Sequence, residues 1–289
     1  MAIGSSNWVI APTFTNLSSE EDRWLKRLKK ALKKHGLSHE VYTGKQLDLD
    51  ALYWLYPPDS CVVFHGPLFW ANTIARASSW YPGAWLSVNN YTYTTYASYS
   101  YGPFLINNPY RVLSVEELWR LLDYSPQQSF ITKNQGFFRP NSGMKPFPGG
   151  VYSAQEVLND RFGHNIDKEE LVVCALPKRI LREWRCFVTE CGRFLSGCQY
   201  KRDGAVCFYP GVPDEVKEFV SSFISIDNWS ADAIYSIDVG LYQDWPCDRL
   251  GIVEVNSFCG AGLYLADLDP IIETANLFAM GDYHEMFGY

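Results

Sequence analysis

No apolar run in this chain reaches the roughly 20 residues that a membrane-spanning helix needs. The N-terminal stretch MAIGSSNWVIAPTF has no basic segment leading into an apolar core. A cytoplasmic protein without membrane attachment is the expectation. Basic charge is not in excess either: 32 Asp and Glu against 25 Lys and Arg leave a net charge of −7, which argues against bulk attraction to nucleic acid. The eight cysteines form no CxxC pair and have no histidines at zinc spacing. Neither a disulfide framework nor a zinc site is expected, but reduced, mostly buried thiols. GxxxxGK[ST] and GxGxxG are both absent, which excludes a Walker loop and the dinucleotide fingerprint. GxSxG and a Cys/His dyad signature are missing as well, so nothing points to a protein nucleophile.

What is present describes a globular α/β protein. Apolar residues make up 47% and charged residues 20% of 289 residues, enough for two packed lobes. Residues 7–14 read as a strand, and SSEEDRWLKRLKKALKKHG as a helix, with Ser18 and Glu21 as a capping box and Gly36 as the stop. Trp24, Leu25, Leu28 and Leu32 fall on one face at helical spacing. The cations Lys26, Arg27, Lys29, Lys30, Lys33 and Lys34 then cover a solvated face. HEVYTG and SCVVFHG read as further strands of a small α/β unit reaching to about residue 125.

The tyrosine-rich run YTYTTYASYSY (91–101) reads as a strand or loop packed on an adjoining lobe, with base stacking as the competing use. Capping boxes open helices at Ser114/Glu117 and Ser153/Glu156, the second reaching Gly163. Segments 171–177, 182–190, 193–201, 235–242 and 251–257 are strand-like, with helices over 212–225 and from about Asp269.

Two polar clusters interrupt this pattern. In YSIDVGLY and GIVEVNS, alternation places Ser236, Asp238 and Gly240 on one face, and Ile252, Glu254 and Asn256 on one face. If the strands pair around QDWPCDR, Asp238 falls opposite Glu254. Two carboxylates side by side repel unless a cation joins them, and an adjacent amide oxygen completes three hard ligands suited to magnesium. The alternative is that each carboxylate pairs with an arginine elsewhere in the sheet. Upstream, FFRPNSGMKPFPGG carries Arg139 and Lys145 among glycines, an arrangement suited to polyphosphate.

The segments FFRPNSGMKPFPG, EWRCFV and EVNSFCGAGLY, in this order over about residues 125–275, resemble the ATP-grasp superfamily. More narrowly they resemble its clade named for an arginine and two lysines, common in phages and bacteria. The resemblance implies an ATP-grasp fold of two lobes, residues 126–289, preceded by an α/β domain, residues 1–125. It implies that Arg139 and Lys145 hold ATP phosphates, and that Val172, Val173 and Cys174 line the adenine cleft with backbone hydrogen bonds. Glu183 would meet the ribose, Arg185 and Lys201 would be phosphate or substrate cations, and Asp238, Glu254 and Asn256 would bind Mg2+. Many relatives carry a cation two residues before the metal-binding Asp, where this chain has Ser236.

The implied reaction is ATP-dependent ligation of a small-molecule or peptide carboxylate to an amine (or thiol) through an acylphosphate, releasing ADP and phosphate. Alternatives are a kinase on the same fold and a non-catalytic nucleotide-binding module. Tyr200, Ser257 and Tyr264 are candidates for an acceptor pocket, with core or turn roles as the alternative. His65, His164 and His284 read as structural or surface residues, and Lys178, Arg179 and Arg182 as a solvated turn.

Overall fold

The computed structural model describes residues 4–12, 19–125, 127–159, 162, 166–226 and 229–287. The expected capping box of Ser18 with Glu21, the helix stop at Gly163 and His164 lie outside them. The chain begins with β1 (Asn7–Ile10), α1 (Ser19–Lys34), β2 (Ser38–Val41), α2 (Leu49–Leu55), β3 (Cys61–His65), α3 (Leu68–Ala77) and β4 (Tyr81–Gly83). These strands form a parallel sheet of order β2-β1-β3-β4. Trp8, Val9, Ile10 and Val62, Val63, Phe64 are all buried, as unbroken apolar strands are when both sheet faces are covered. Leu25, Leu28 and Leu32 seat α1 on the core. Gly36, at φ +69, turns the chain out of the helix, and the Leu37 N–H closes onto the Leu32 carbonyl at 3.0 Å.

The tyrosine-rich run is helical rather than strand or open loop: short 3-10 turns flank α4 (Tyr93–Ala97). Tyr91, Tyr93, Tyr96 and Tyr101 are buried, and the Tyr101 hydroxyl meets that of Tyr235 at 2.7 Å. Buried rings offer no stacking platform for bases; the run packs onto the later part of the chain.

Next come β5 (Tyr110–Ser114), α5 (Val115–Tyr124), β6 (Gln135–Pro140), β7 (Gly150–Ser153), α6 (Ala154–Leu158) and β8 (Leu171–Ala175). The strands make an antiparallel sheet of order β5-β8-β6-β7. Both capping boxes, at Ser114/Glu117 and Ser153/Glu156, are formed. β5 and α5, which the sequence places in the first unit, belong with this second sheet: Leu113 pairs with Val172, and Val115, Leu118 and Leu122 share a core with Phe138 and Cys174.

The last sheet, β11-β10-β9-β12-β13, is antiparallel and holds β9 (Ile180–Thr189), β10 (Phe194–Arg202), β11 (Ala205–Pro210), β12 (Ile234–Asp244) and β13 (Cys247–Ser257). α7 (Asp214–Ile224) and α8 (Leu268–Phe287) complete the chain. α8 returns to pack on β3, β4 and α1, and Ser6 donates its N–H and hydroxyl to Asn276 Oδ1 at 2.8 and 3.0 Å. One core therefore runs from Trp8 through the five-stranded sheet to Met280, with a second under the four-stranded antiparallel sheet. All eight cysteines are free thiols; Cys61, Cys174, Cys186, Cys198 and Cys259 are buried.

Candidate active site

The register of the five-stranded sheet lines up a row of charges. Asp238 stands directly opposite Arg185 on one side and Glu254 on the other, so all three point from one face. Asn256, two residues beyond Glu254, shares that face. Ile252 does not, contrary to the simple alternation. A bulge after Asp238 inserts Val253, so that Val239 pairs with Ile252 and Ile252 turns into the core. A second bulge in β10, between Gln199 and Lys201, re-aims Tyr200 into the polar row.

The charges are paired in a definite way. Arg185 forks onto Asp238, Nε to Oδ1 at 2.8 Å and Nη2 to Oδ2 at 2.7 Å, and Asp238 is fully buried. Asn256 Nδ2 and the Tyr200 hydroxyl also donate to Asp238 Oδ2, each at 3.2 Å, while Tyr200 donates to Glu183 Oε2 at 2.6 Å. Glu254 Oε2 receives Lys145 Nζ at 2.9 Å and Arg139 Nη2 at 3.4 Å. Lys145 Nζ reaches Asn256 Oδ1 as well. Burial pushes the Glu254 carboxyl up, but the Lys145 and Arg139 charges outweigh it and hold the group well below the usual carboxylate range. Burial, with Asp238 and Glu183 close by, pushes the Tyr200 phenol far up, so it stays a proton donor.

The second sheet delivers the cations. Arg139 lies at the end of β6, with its guanidinium over the Tyr93 ring at 5.1 Å and Nη1 donating to the Val253 carbonyl at 3.2 Å. The loop after it is anchored to the tyrosine-rich run: the Asn141 carbonyl accepts the Tyr93 N–H at 2.8 Å. A Cβ on Gly143 would stand 2.7 Å from both Tyr91 Cβ and the Val88 carbonyl, so this close approach requires glycine. Lys145 itself sits at φ +51, which turns its side chain back onto β13.

The other expected residues divide. Glu183 and Lys201 pair with one another at 3.3 Å, two residues along β9 from Arg185. Val172, Val173 and Cys174 are not free to offer backbone hydrogen bonds. They form the middle strand, paired to β5 on one side and β6 on the other, and are buried. The ladder ends at Ala175, and the exposed Leu176 begins the connection to β9. Ser257, Tyr264, Gly260 and Gly262 line a cavity of about 250 Å³ together with Lys145, Arg185, Asn256 and, from the first unit, Leu68 and Tyr91. His65 is buried, 3.2 Å from the Ala261 carbonyl, and burial lowers its pKa to about 4. Arg179 meets Gln243 Oε1 at 3.2 Å on the surface, and Lys178 lies over the Tyr242 ring.

Sequence reading missed Arg27. It is not part of a solvated face: its guanidinium donates to the Tyr264 and Ala266 carbonyls, the latter at 2.8 Å. Tyr93 was passed over too, and its only signal was its place in the tyrosine-rich run.

Glu254 and Asn256 fit a divalent cation, because their oxygens already accept one positive group, the Lys145 ammonium. Asp238 lies beside them with both oxygens held by Arg185. The buried Arg139 Nε has no hydrogen-bond partner among the described residues, as suits a cation awaiting an anionic group.

No curated protein matches the sequence. Among solved structures, D-cycloserine synthetase DcsG superposes with a TM-score of 0.57 at 13% identity, covering 94% of this chain and 99% of its own. D-alanine–D-alanine ligase from Bacillus anthracis gives 0.57 at 14%, over 99% and 100%. D-alanyl-alanine synthetase A from Vibrio cholerae gives 0.52 at 11%, over 97% and 99%. At such identities the likeness is one of fold, the ATP-grasp fold. The model of an ATP-grasp domain, the second family of the clade named for an arginine and two lysines, matches residues 124–274. This stretch contains the cationic loop, the Arg185 strand and the Asp238–Glu254 hairpin, and it makes up more than half of the chain, which therefore belongs to that family.

Proposed function

We propose that the chain is an ATP-dependent ligase that joins a carboxylate to an amine through an acylphosphate, releasing ADP and phosphate. The observation that carries this reading is the meeting of two sheets at one point: Arg139 and Lys145 from the first reach Glu254 and Asn256 on the second. Asp238 and Arg185 stand alongside. Cations on one wall and hard oxygen ligands on the other suit a metal–polyphosphate substrate held between them.

Glu254 and Asn256 would hold Mg2+, with Asp238 next to them. The bound ion would neutralise charge on the phosphates. Arg139 keeps a fixed, buried guanidinium directed into the cleft. Lys145, on a glycine-bearing loop and partly exposed, is free to exchange Glu254 for a phosphate oxygen. The exposed turn at Leu176, rather than Val172–Cys174, would border the adenine. The cavity walled by Ser257–Tyr264 adjoins Lys145 and Arg185, and would receive the carboxylate and then the amine. Neither step needs a protein nucleophile, since the phosphoryl group activates the carboxylate and the amine displaces it.

The test is incubation with ATP, Mg2+ and a metabolite mixture, followed by mass spectrometry. ADP and a new amide are expected. AMP and pyrophosphate would overturn the acylphosphate route, and a phosphate ester in place of an amide would make the enzyme a kinase.

A further inference from the structure

The inner wall of the proposed acceptor cavity is held in an uncommon backbone state. Tyr264 has φ +40, in the left-handed region that side chains other than glycine seldom occupy. Its ring stacks with Tyr200 at 5.4 Å between centroids and with Phe208 at 5.1 Å, and the Arg185 guanidinium lies 5.1 Å from its centre. The same Arg185 donates to the Gly262 carbonyl at 3.4 Å. Tyr264 thus touches, within one stack, the arginine that forks onto Asp238 and the tyrosine that donates to it.

What holds this backbone comes from the far end of the sequence. Arg27 lies on α1, between exposed lysines at 26 and 29–30, yet is itself only partly exposed. Its two Nη atoms donate to the Tyr264 and Ala266 carbonyls, bracketing Leu265. A guanidinium presents two parallel N–H donors at fixed spacing; a lysine ammonium at the same place is a single point donor. Helix α1 is itself fixed by Leu25, Leu28 and Leu32 in the core and packs against α8. The first unit therefore reaches the site wall through Arg27 as well as through Leu68 and Tyr91.

We propose that Arg27 is a positioning residue. By fixing the Tyr264 and Ala266 carbonyls, it sets the Tyr264 ring against Arg185 and Tyr200, and so shapes the acceptor side of the cleft without touching the nucleotide side. This rests on the ligase reading for what the cavity binds, but not for the geometry itself.

The experiment uses the full-length protein with 3-fluorotyrosine placed at position 264, in the native background and in Arg27→Lys and Arg27→Gln. In Arg27→Gln the fluorine resonance is expected to shift and broaden as the ring leaves its stack, with Arg27→Lys intermediate. Binding of Mg·ADP, measured by calorimetry, should stay within about twofold. With an acceptor found by the metabolite screen, KM for that acceptor should rise about tenfold in Arg27→Gln while KM for ATP is unchanged, the scale of one lost charged hydrogen bond. An unmoved fluorine signal in a folded Arg27→Gln protein overturns the proposal, and so does an equal loss of nucleotide and acceptor binding. If Arg27→Gln does not fold, Arg27→Lys decides by the same two readouts. Absence of ADP formation with every acceptor would defeat the ligase reading, yet leave the fluorine arm to judge Arg27.

Discussion

Removing a cation from the site should make it bind a metal more tightly. Lys145 Nζ occupies the two oxygens, Glu254 Oε2 and Asn256 Oδ1, that are proposed to hold Mg2+. Without nucleotide, an arriving ion must first displace that ammonium. Hydrogen bonds to charged groups contribute about 1.5–3 kcal/mol, and the Lys145 side chain is 32% exposed, which favours the lower end. Losing about 1.5 kcal/mol of competition corresponds to roughly tenfold tighter binding. Lys145→Met is the perturbation, since it keeps an unbranched side chain, one atom shorter, and removes the charge together with its hydrogen bonds to Glu254 and Asn256. Titration of Mn2+ into nucleotide-free protein, followed by electron paramagnetic resonance, should show that gain, whereas Mg·ADP should bind more weakly, because the displaced lysine is the proposed phosphate contact. Lys201→Met is the control, because its ammonium pairs with Glu183 rather than Glu254 and should change Mn2+ affinity far less. An unchanged Mn2+ affinity in Lys145→Met refutes the reasoning. So does a gain that survives when Glu254→Gln is added, because the ion would then be held somewhere else.

The remaining predictions concern the same charges and one buried histidine. Glu254→Gln should abolish turnover and leave a cooperative fold, at a cost of about 1–3 kcal/mol because Arg139 and Lys145 then face a neutral amide; residual ADP formation would remove Glu254 from the metal site. Asp238→Asn strands Arg185, whose side chain is 8% exposed against a carboxylate at 0%, and should cost about 3–5 kcal/mol in urea unfolding. A loss below about 1 kcal/mol would mean that the Gly262 carbonyl and the Tyr200 and Tyr264 rings suffice to hold the arginine. His65 has its pKa lowered by burial from 6.5 to about 4, so the unfolded chain takes up its proton first as pH falls. Its share of stability is complete above pH 6.5 and declines towards pH 4, by about 3 kcal/mol in all. Folded His65→Gln should show a flatter pH dependence across that window, and an unchanged slope would assign the acid sensitivity to another group.

How much of this was readable in the sequence depended on whether the information was local. Capping boxes at Ser114 and Ser153 were legible because Ser and Glu three residues apart close on each other within one helical turn. The pairing of Asp238 with Glu254 was legible because a hairpin fixes register from its turn. Alternation then failed at Ile252, since a bulge inserts one residue without leaving a mark in the pattern and reverses the face of what precedes it. The cleft role of Val172–Cys174 came from the resemblance alone, and the apolar run of β8 could not check it, because it says that both faces are covered but not whether both edges are. The helix of lysines concealed Arg27 for a similar reason: composition assigns a charged face to water, and only packing against the turn at Tyr264 turns one of its cations inward. The two arginine pairings show the same limit from the other side. The sequence left open whether each carboxylate meets a metal or an arginine, and in the structure each does meet an arginine, Asp238 with Arg185 and Glu254 with Arg139. That pairing is compatible with a metal at Glu254, which shares its oxygen with a partly exposed lysine. It is far more restrictive at Asp238, where a rigid two-pronged arginine already takes both oxygens. The chemistry of the site should therefore be asymmetric, with Glu254 exchanging partners as nucleotide enters and Asp238 holding Arg185 in place throughout.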